Sequence, residues 1–385
     1  MARHLVGSNG EVTDLCFLGE SQDKVALATA SENIRILDSS TLQCHRTCTG
    51  HSDVVLALCT SIMDGVPLIV SGAKDRTVRV WNGLTAECIG VGEGHAAAVS
   101  AVSLSNKRTP SALNFAVSGS GDRTLKLWDL RPLKRRLEGS AHYEPIANSE
   151  PKEQTMSTLA VVAAHDKDIN TVAVAPNDSL ICTGSQDRSV KLWRAPELVS
   201  VLTLKGHKRG VWCVQFSPVD KCVVSGSGDR TIKIWALSDG TCLKTFEGHS
   251  ASVLKVAFIT VGTQLLSAGG DGLLKLWTVS STECVNTFDA HEDKVWALAA
   301  NKDGSQMLSG GGDGRVSLWK DCTVADDLKK AEDVAKEIEQ TQQLSNLMNT
   351  GQMNKAMRMA IELRRPGMLL KVIDRIIGGS SEHTK

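Results

Sequence analysis

Histidine, a hydroxyl residue and aspartate recur together six times along the 385-residue chain, and these are the residue types of a hydrolytic triad. A triad needs one exposed serine that its histidine uniquely activates. Here the set returns at the same place in every copy, with the aspartate four residues after the hydroxyl and six before a tryptophan. We therefore expect structural sets and no catalytic residue. The sets are His51, Ser71, Asp75 and Trp81; His95, Ser118, Asp122 and Trp128; His165, Thr183, Asp187 and Trp193; His207, Ser225, Asp229 and Trp235; His249, Ser267, Asp271 and Trp277; His291, Ser309, Asp313 and Trp319.

The elements that position these residues repeat with the same period. Successive histidines are 44, 70, 42, 42 and 42 residues apart, and each follows a glycine or an alanine. Within a unit, short alternating apolar runs such as VWCVQF and RTIKIW are separated by Gly, Asp, Asn and Pro turn residues. This pattern predicts four short strands in every unit.

These features resemble the WD-repeat family, whose units of about 40–45 residues carry Gly-His and Trp-Asp signatures. The resemblance implies an all-β fold, a β-propeller with one blade per unit. It also implies that each His, Ser or Thr, Asp and Trp set forms a hydrogen-bonded tetrad inside its blade. The carboxylate can accept from the imidazole, which can meet the hydroxyl and the indole N–H, so every buried polar group has a partner.

Six tetrads predict seven blades, because residues 10–50 carry the same strand rhythm in eroded form. Gly7 and Ser8 stand where Gly-His is expected, and Leu37 stands where the tryptophan is expected, so this first blade lacks a tetrad. Residues 2–6 occupy the position of a fourth strand with no blade of their own. We expect them to complete the last blade, because a closed ring leaves no sheet edge exposed. The propeller is predicted to span residues 1–322.

One interval between tetrads is 28 residues longer than the others, and the excess lies at about residues 130–157. Its prolines and charges predict an exposed, flexible insertion. The insertion opens with a basic cluster, Arg131, Lys134, Arg135 and Arg136. Such a cluster suits phosphate contact or nuclear import, and it equally suits the solvated edge of a loop.

The resemblance also implies where partners bind, namely on the narrow face of the propeller, at positions three and five after the histidine and one before the tetrad aspartate. Trp212 and Trp296 are the two tryptophans outside the tetrads, and an exposed pair on one face would anchor an interface. A core role is the alternative interpretation. The positions singled out are Trp212, Trp296, Leu56, Leu254, Lys74, Gln186, Asp168, Asn170 and Lys294.

After Trp319 the apolar period changes from two to 3.6, which predicts helices over residues 323–378 and a disordered tail over 379–385. The first helix begins near Asp326 and Asp327, and two more are expected at about 353–364 and 367–377, separated by Pro366. The apolar face of the last two helices is large for such short elements, which predicts a protein partner. That face comprises Met357, Ile361, Leu369, Leu370, Ile373 and Ile377.

A propeller followed by LSNLMNTG and AIELRRPGMLLKVI is similar to the transducin-beta-like, Utp-thirteen-type family of small-subunit processome proteins. The resemblance implies a nucleolar scaffold that supports pre-18S rRNA processing, with other propeller and helical-domain proteins as partners and local contact with pre-rRNA and snoRNA. Members of this family carry a second propeller and a longer helical domain, so the helical segment here is expected to be incomplete.

Two other functions have sequence support. Trp128 to Arg131 match the WDxR pattern that substrate receptors of cullin-type ubiquitin ligases use to bind their adaptor, although Trp-Asp is common in these repeats. A signalling propeller like a G-protein β subunit is disfavoured because no long coiled coil precedes the first blade.

Composition limits the remaining classes. Lys and Arg balance Asp and Glu at 43 each, so no global field draws the protein to nucleic acid or to a membrane. The 11 cysteines are scattered, which predicts reduced thiols, and the close pair Cys44 and Cys48 around His45 lacks the further ligands of a zinc site. No apolar run is long enough to span a bilayer. We expect no cofactor, no small-molecule substrate and no membrane contact, and a location in the nucleus and nucleolus.

Overall fold

The computed structural model describes residues 3–5, 10–106, 114–134, 136–137, 153–321, 323–363 and 366–379. Within these residues, 29 strands form seven antiparallel sheets, the blades of a propeller, and three helices follow. The chain divides into two compact units, residues 1–320 and 321–385. The prediction of a seven-bladed propeller followed by a short helical segment is confirmed.

The strand bounds follow the predicted four-per-unit rhythm, with innermost strands first in each blade. Blade 1 is β2 (Val12–Leu18), β3 (Lys24–Thr29), β4 (Ile34–Asp38) and β5 (Cys44–Cys48); blade 2 is β6 (Val55–Met63), β7 (Val66–Ala73), β8 (Val78–Asn82) and β9 (Cys88–Gly92); blade 3 is β10 (Val99–Leu104), β11 (Phe115–Ser120), β12 (Thr124–Asp129) and β14 (Thr158–Ala163); blade 4 is β15 (Ile169–Val174), β16 (Leu180–Ser185), β17 (Ser189–Arg194) and β18 (Val199–Lys205). Blade 5 is β19 (Val211–Phe216), β20 (Cys222–Ser227), β21 (Thr231–Ala236) and β22 (Cys242–Glu247); blade 6 is β23 (Val253–Ile259), β24 (Gln264–Gly269), β25 (Leu273–Thr278) and β26 (Cys284–Asp289); blade 7 is β27 (Val295–Ala300), β28 (Gln306–Gly311), β29 (Val316–Lys320) and β1 (Arg3–Leu5).

Neighbouring blades pack closely because a glycine follows most tetrad hydroxyls. A Cβ added to Gly72 would lie 2.6 Å from Cγ1 of Val99 in the next blade, and one added to Gly119 would lie 2.6 Å from Cγ2 of Ile169. Real atoms do not approach so closely, so only glycine admits the next innermost strand here. Each sheet therefore buries apolar side chains on both faces, one against each neighbour.

The ring is closed by the N-terminal strand. Strand β1 pairs antiparallel with β29, with Arg3 opposite Leu318 and Leu5 opposite Val316. The prediction that the N-terminal segment completes the last blade is confirmed for residues 3–5. The innermost strands contact one another in the order β2, β6, β10, β15, β19, β23 and β27, and β27 contacts β2 again.

Blade 1 replaces the polar tetrad by leucine packing. Leu27 occupies the tetrad hydroxyl position and Leu37 the tryptophan position, and both are almost fully buried. They belong to one apolar cluster with Val316 and Leu318 of blade 7. The blade that begins the ring is thus held to the blade that ends it by apolar contact.

The insertion after blade 3 is more ordered at its two ends than the predicted exposed loop. A 3-10 turn spans Arg131–Leu133, and Leu133 and Leu137 are buried. At the other end β13 (Gln154–Thr155) pairs in parallel with β9, which gives blade 2 a fifth strand, and Met156 is buried in the same cluster. The prediction of an exposed insertion is therefore wrong for these ends, because three apolar side chains anchor them to blade 2. Residues 138–152 lie outside the described residues.

Three helices form the second unit: α1 (Thr323–Asn349), α2 (Met353–Glu362) and α3 (Pro366–Gly379). Pro366 begins α3, a position where its missing N–H leaves no helical hydrogen bond unmade. The centre of this unit is small, consisting of Leu344, Ala356, Ala360 and Val372. The alanines let α2 lie close to its neighbours.

Deleting residues 1–8 should lower the melting temperature of the propeller by several degrees, because the edge of β29 loses its three-residue partner strand. Differential scanning fluorimetry of the deletion beside the full chain measures this. Deleting residues 381–385 is the matched control and should leave the melting temperature unchanged. An unaltered melting temperature in the N-terminal deletion would contradict closure of the ring by β1.

Candidate interaction face

Each tetrad is a continuous hydrogen-bonded chain from tryptophan to aspartate. In blade 2, Trp81 Nε1 donates to Ser71 Oγ at 2.8 Å, and this hydroxyl lies 2.7 Å from His51 Nε2. His51 Nδ1 lies 2.7 Å from a carboxylate oxygen of Asp75. The other five tetrads repeat the chain, with Trp-to-hydroxyl distances of 2.7–3.0 Å.

One arrangement of protons satisfies every member of this chain. The indole N–H can only donate to the hydroxyl, so the hydroxyl proton is free to go to Nε2 of a neutral histidine, whose Nδ1–H then donates to the carboxylate. Burial lowers the pKa of His95, His165 and His249, which favours the neutral form. The tetrad hydroxyls have no exposed surface, so no substrate reaches them.

The carboxylates accept additional hydrogen bonds from the turn. In blade 2, Asp75 accepts from the backbone N–H of Ser52 and from both the N–H and the hydroxyl of Thr77. Burial alone would raise the pKa of such carboxyls, but the donated hydrogen bonds outweigh it and lower the pKa of Asp122 and Asp187 to about 2. The aspartates are therefore ionised at neutral pH.

Blades 6 and 7 hold their aspartates less firmly than blades 2–5. The residue two after the aspartate is Thr or Ser in blades 2–5, and it is Leu273 or Arg315 in blades 6 and 7. Without that hydroxyl, His249 Nδ1 lies 3.0 and 3.1 Å from the two oxygens of Asp271, instead of 2.7–2.9 Å from one oxygen as in blades 2–5.

The singled-out narrow-face residues divide into two groups. Six line the mouth of the axial channel, a cavity of about 1110 Å³: Leu56, Lys74, Asn170, Trp212, Leu254 and Trp296. Gln186, Asp168 and Lys294 lie outside its lining, and Lys294 Nζ is 5.8 Å from the ring centre of Trp296.

Trp212 and Trp296 meet across blade 6 at this mouth. Their ring centres are 6.1 Å apart, with an edge-to-face angle of 68°, and both side chains are half-buried. Leu254 between them in sequence is buried, and Asn170 donates to the carbonyl of Val211 at 2.7 Å. The pair is thus supported by its neighbours and also presents aromatic surface to solvent.

Sequence reasoning missed an ion pair inside the channel. Lys255 Nζ of blade 6 lies 2.9 Å from Asp14 Oδ1 of blade 1, and Asp14 Oδ2 accepts from the N–H of Leu58 in blade 2. Burial would lower the pKa of Lys255, but the Asp14 carboxylate outweighs burial and raises it. A signal was present, because the equivalent positions in the other five blades hold only Ala, Thr or Cys.

The thiols of this channel are not poised for chemistry. Burial raises the pKa of Cys59 to about 11 and that of Cys213 to about 12, and the pKa of Cys16 is raised as well. At neutral pH they remain protonated, and a protonated thiol is neither a nucleophile nor a metal ligand. Among the described residues no group of three or more His, Cys, Asp or Glu side chains is arranged to hold a metal ion.

The repeats match a known sequence model, described as WD domain, G-beta repeat (WD40). The matched stretches are residues 42–82, 86–129, 156–194, 198–236, 240–278 and 282–320, which together cover more than half of the chain. The chain belongs to the WD-repeat family. The first WD unit, which lacks the tetrad, lies outside these stretches.

Several curated WD-repeat proteins are similar to this chain. Transducin beta-like protein 3 of Bos taurus is 45% identical over 210 residues, which are 54% of this chain and 24% of the relative. U3 small nucleolar RNA-associated protein 13 of Saccharomyces cerevisiae is 34% identical over 201 residues, which are 49% of this chain and 23% of the relative. A ribosome biogenesis protein WDR12 homolog of Oryza sativa is 28% identical over 125 residues, which are 32% of this chain and 25% of the relative. The chain spans about a quarter of the length of these relatives.

The basic cluster of the WD-repeat insertion is engaged by neighbouring groups. Arg131 donates through Nε and Nη2 to both oxygens of Asp129, at 2.9 and 2.7 Å, so the Trp-Asp-x-Arg segment uses its guanidinium fork internally. Lys134 pairs with Asp64 at 3.2 Å, and Arg136 donates to the carbonyl of Ile89. Arg135 lies outside the described residues. This geometry gives no support to adaptor binding through Arg131.

In the helical unit, the predicted partner face is split. Ile361 and Leu370 are exposed, at 58% and 61%, whereas Met357 and Leu369 pack against the small centre of the unit. Ile373 is half-buried, and the side chain of Ile377 lies outside the described residues. None of the described helices is long and apolar enough to cross a membrane.

Replacing Asp229 by Ala should lower the free energy of unfolding by about 1–3 kcal/mol, because His207 and the N–H of Lys208 lose a buried acceptor. Asp271→Ala should cost less, since blade 6 lacks the turn hydroxyl. Urea unfolding followed by tryptophan fluorescence measures both. The control Asp220→Ala, an exposed residue of blade 5, should change little. Equal losses at positions 229 and 271 would refute the ranking of the tetrads.

The channel ion pair can be tested by a double-mutant cycle. Lys255→Met should destabilise the propeller by about 1–3 kcal/mol because it leaves the buried Asp14 carboxylate without its cation. Adding Asp14→Asn should recover most of that loss, since the amide keeps an acceptor for Leu58 and carries no charge. Additive effects of the two substitutions in urea unfolding would show that the pair is not coupled.

Proposed function

We propose that this WD-repeat protein is a non-catalytic scaffold subunit of the small-subunit processome, with a role in pre-18S rRNA processing and small ribosomal subunit biogenesis in the nucleolus. The observation that carries the proposal is the 34% identity with a yeast protein whose name associates it with U3 small nucleolar RNA. The 45% identity with a transducin beta-like protein supports the same assignment. The partners are other propeller and helical-domain proteins.

The geometry supports a binding role over a catalytic one. Every tetrad hydroxyl is buried and identical in its surroundings, so none is singled out as a nucleophile. The channel thiols are held protonated. What the molecule offers to solvent is a tryptophan pair at the channel mouth and apolar side chains on the helical unit, and both suit protein partners.

Affinity purification of the tagged chain from nucleolar extract tests the proposal. U3 RNA and processome subunits should co-purify, as measured by reverse-transcription PCR and mass spectrometry. A variant with Ile361→Glu and Leu370→Glu should recover fewer helical-domain partners, because two charges replace exposed apolar contacts. Its matched control is Asn354→Glu with Lys371→Glu, which places charges at exposed polar positions of the same helices.

A further arm carries Trp212→Ala and Trp296→Ala. This variant should keep a near-normal melting temperature and lose those partners that bind the propeller face. Absence of both U3 RNA and processome subunits from the unaltered chain would defeat the proposed function. A large fall in the melting temperature of the tryptophan variant would instead assign the pair to the core.

A further inference from the structure

Four arginines occupy one turn position in four consecutive blades. Arg76, Arg123, Arg188 and Arg230 each follow the tetrad aspartate of blades 2, 3, 4 and 5, and all four are exposed. The turn joins the second and third strands, so all four lie at the end of the propeller that carries the tetrad histidines and the channel mouth. We call these four residues the arginine arc.

The backbone at this position disfavours arginine. The φ angles of the four residues are 69°, 69°, 74° and 72°, which is the left-handed region that glycine adopts most readily. Blades 6 and 7 have glycine at the equivalent positions, Gly272 and Gly314, with φ of 78° and 72°. Four blades thus carry a large cation where the turn itself favours glycine, which points to a role for the side chain.

The guanidiniums of the arc are uncommitted within the described residues. None of the four makes an ion pair or a side-chain hydrogen bond there, in contrast to Arg79, Arg131 and Arg315, which pair with carboxylates at 2.6–2.8 Å. Lys208 and Arg209 add two exposed, unpaired cations on the loop before blade 5. The acids of the same loops, Asp53, Glu93, Asp166 and Asp168, make no ion pair with the arc.

The chemistry around the arc separates nucleic acid from protein as its ligand. The turns read KDRT, GDRT, QDRS and GDRT, so each guanidinium is flanked by hydroxyl or glycine and by no apolar side chain. A protein interface would need apolar or aromatic anchors among its charges. Planar guanidiniums repeated once per blade match a long ligand that carries an anion at every repeat, as a sugar–phosphate backbone does.

We infer that the arginine arc of blades 2–5 binds the sugar–phosphate backbone of a single-stranded RNA without reading its sequence. The choice of RNA rests on the proposed function, because a processome subunit meets pre-rRNA. The chain has no net charge, so this binding is local to one sector of the face, and it weakens with salt. Blades 6, 7 and 1, which lack the arc, leave the tryptophan pair free for protein.

Fluorescence anisotropy of a labelled oligouridylate of about 30 nucleotides with the purified full chain tests the inference. The quadruple variant Arg76→Gly, Arg123→Gly, Arg188→Gly and Arg230→Gly should bind about tenfold or more weakly at low salt. The slope of log affinity against log salt should fall in magnitude by about 3, since each phosphate contact on a single strand contributes about 0.7. Glycine suits this turn, so the melting temperature should hold. A second variant with asparagine at the four positions, which also tolerates the turn, guards against loss of folding.

The matched control removes four exposed cations from other surfaces, with Arg46, Arg194, Lys221 and Lys302 each changed to Gln. It should bind the RNA as the unaltered chain does. Equal losses in the control and the arc variant, or unchanged binding by the arc variant, would overturn the inference, as would failure of the unaltered chain to bind at low salt. Polyglutamate of equal length that competes as well as RNA would assign the arc to acidic protein instead.

The outcomes also separate this inference from the proposed function. Co-purification of U3 RNA with the tagged chain, together with RNA binding that ignores the arc, would retain the function and reject the inference. RNA binding that depends on the arc, in a chain that recovers no processome subunit, would do the opposite.

Discussion

Closure of the ring is the constraint on which the propeller depends, because every blade is apolar on both faces and needs a neighbour on each side. Only a closed ring gives seven sheets two neighbours each. The glycines after the tetrad hydroxyls set the distance between blades, as at Gly72 against Val99. The same contact occurs at the seam, where Gly310 of blade 7 packs against Val12 of blade 1. One spacing rule therefore serves the whole circle.

The seam is also where the fold has fewest polar networks, and its reinforcements are of other kinds. Blade 1 has no tetrad, and the outermost strand of blade 7 is the three-residue β1. Apolar packing of Leu27 and Leu37 with the strands of blade 7 supplies one reinforcement. The Asp14–Lys255 pair supplies another, since it joins blade 1 to blade 6 through the channel and passes in front of blade 7. A buried charge pair is costly to place, but here Lys255 retains 35% exposure to the channel, which reduces that cost.

The fold was predictable from the sequence because its information is local and repeated. The His51, Ser71, Asp75 and Trp81 spacing recurs often enough to fix the blade, and the eroded first unit follows by alignment with the others. What was missed depends on contacts that a repeat pattern does not encode. The parallel pairing of Gln154 with Gly90 follows a long insertion and has no counterpart in other blades. The pairing of Asp14 with Lys255 needs two units far apart in sequence to be compared at one register.

The site illustrates the same division. The narrow-face positions followed from the family pattern, but which of them share the channel mouth depends on how Trp212 and Trp296 tilt toward one another across blade 6, and no spacing predicts a ring angle. In the helical unit the apolar periodicity located α2 and α3. It did not reveal that Ala356 and Ala360, the smallest residues of α2, face inward while Ile361 faces solvent. Close helix contact selects small side chains, and this reverses the usual rule that the larger apolar residue is buried.

A link between the tetrads and the arginine arc lies in the turn that both share. In blades 2–5 the residue after the arginine is Thr or Ser, and its hydroxyl donates to the tetrad carboxylate at 2.6–2.7 Å. Blades 6 and 7, which have glycine in place of arginine, lack that hydroxyl as well. A left-handed arginine strains the turn, and an additional charge-assisted hydrogen bond at the next residue stabilises the same turn. The strained cation and the hydroxyl that offsets it therefore occur together. The buried network, whose role inside the blade is structural, thus also holds four guanidiniums in fixed positions on the face of the molecule.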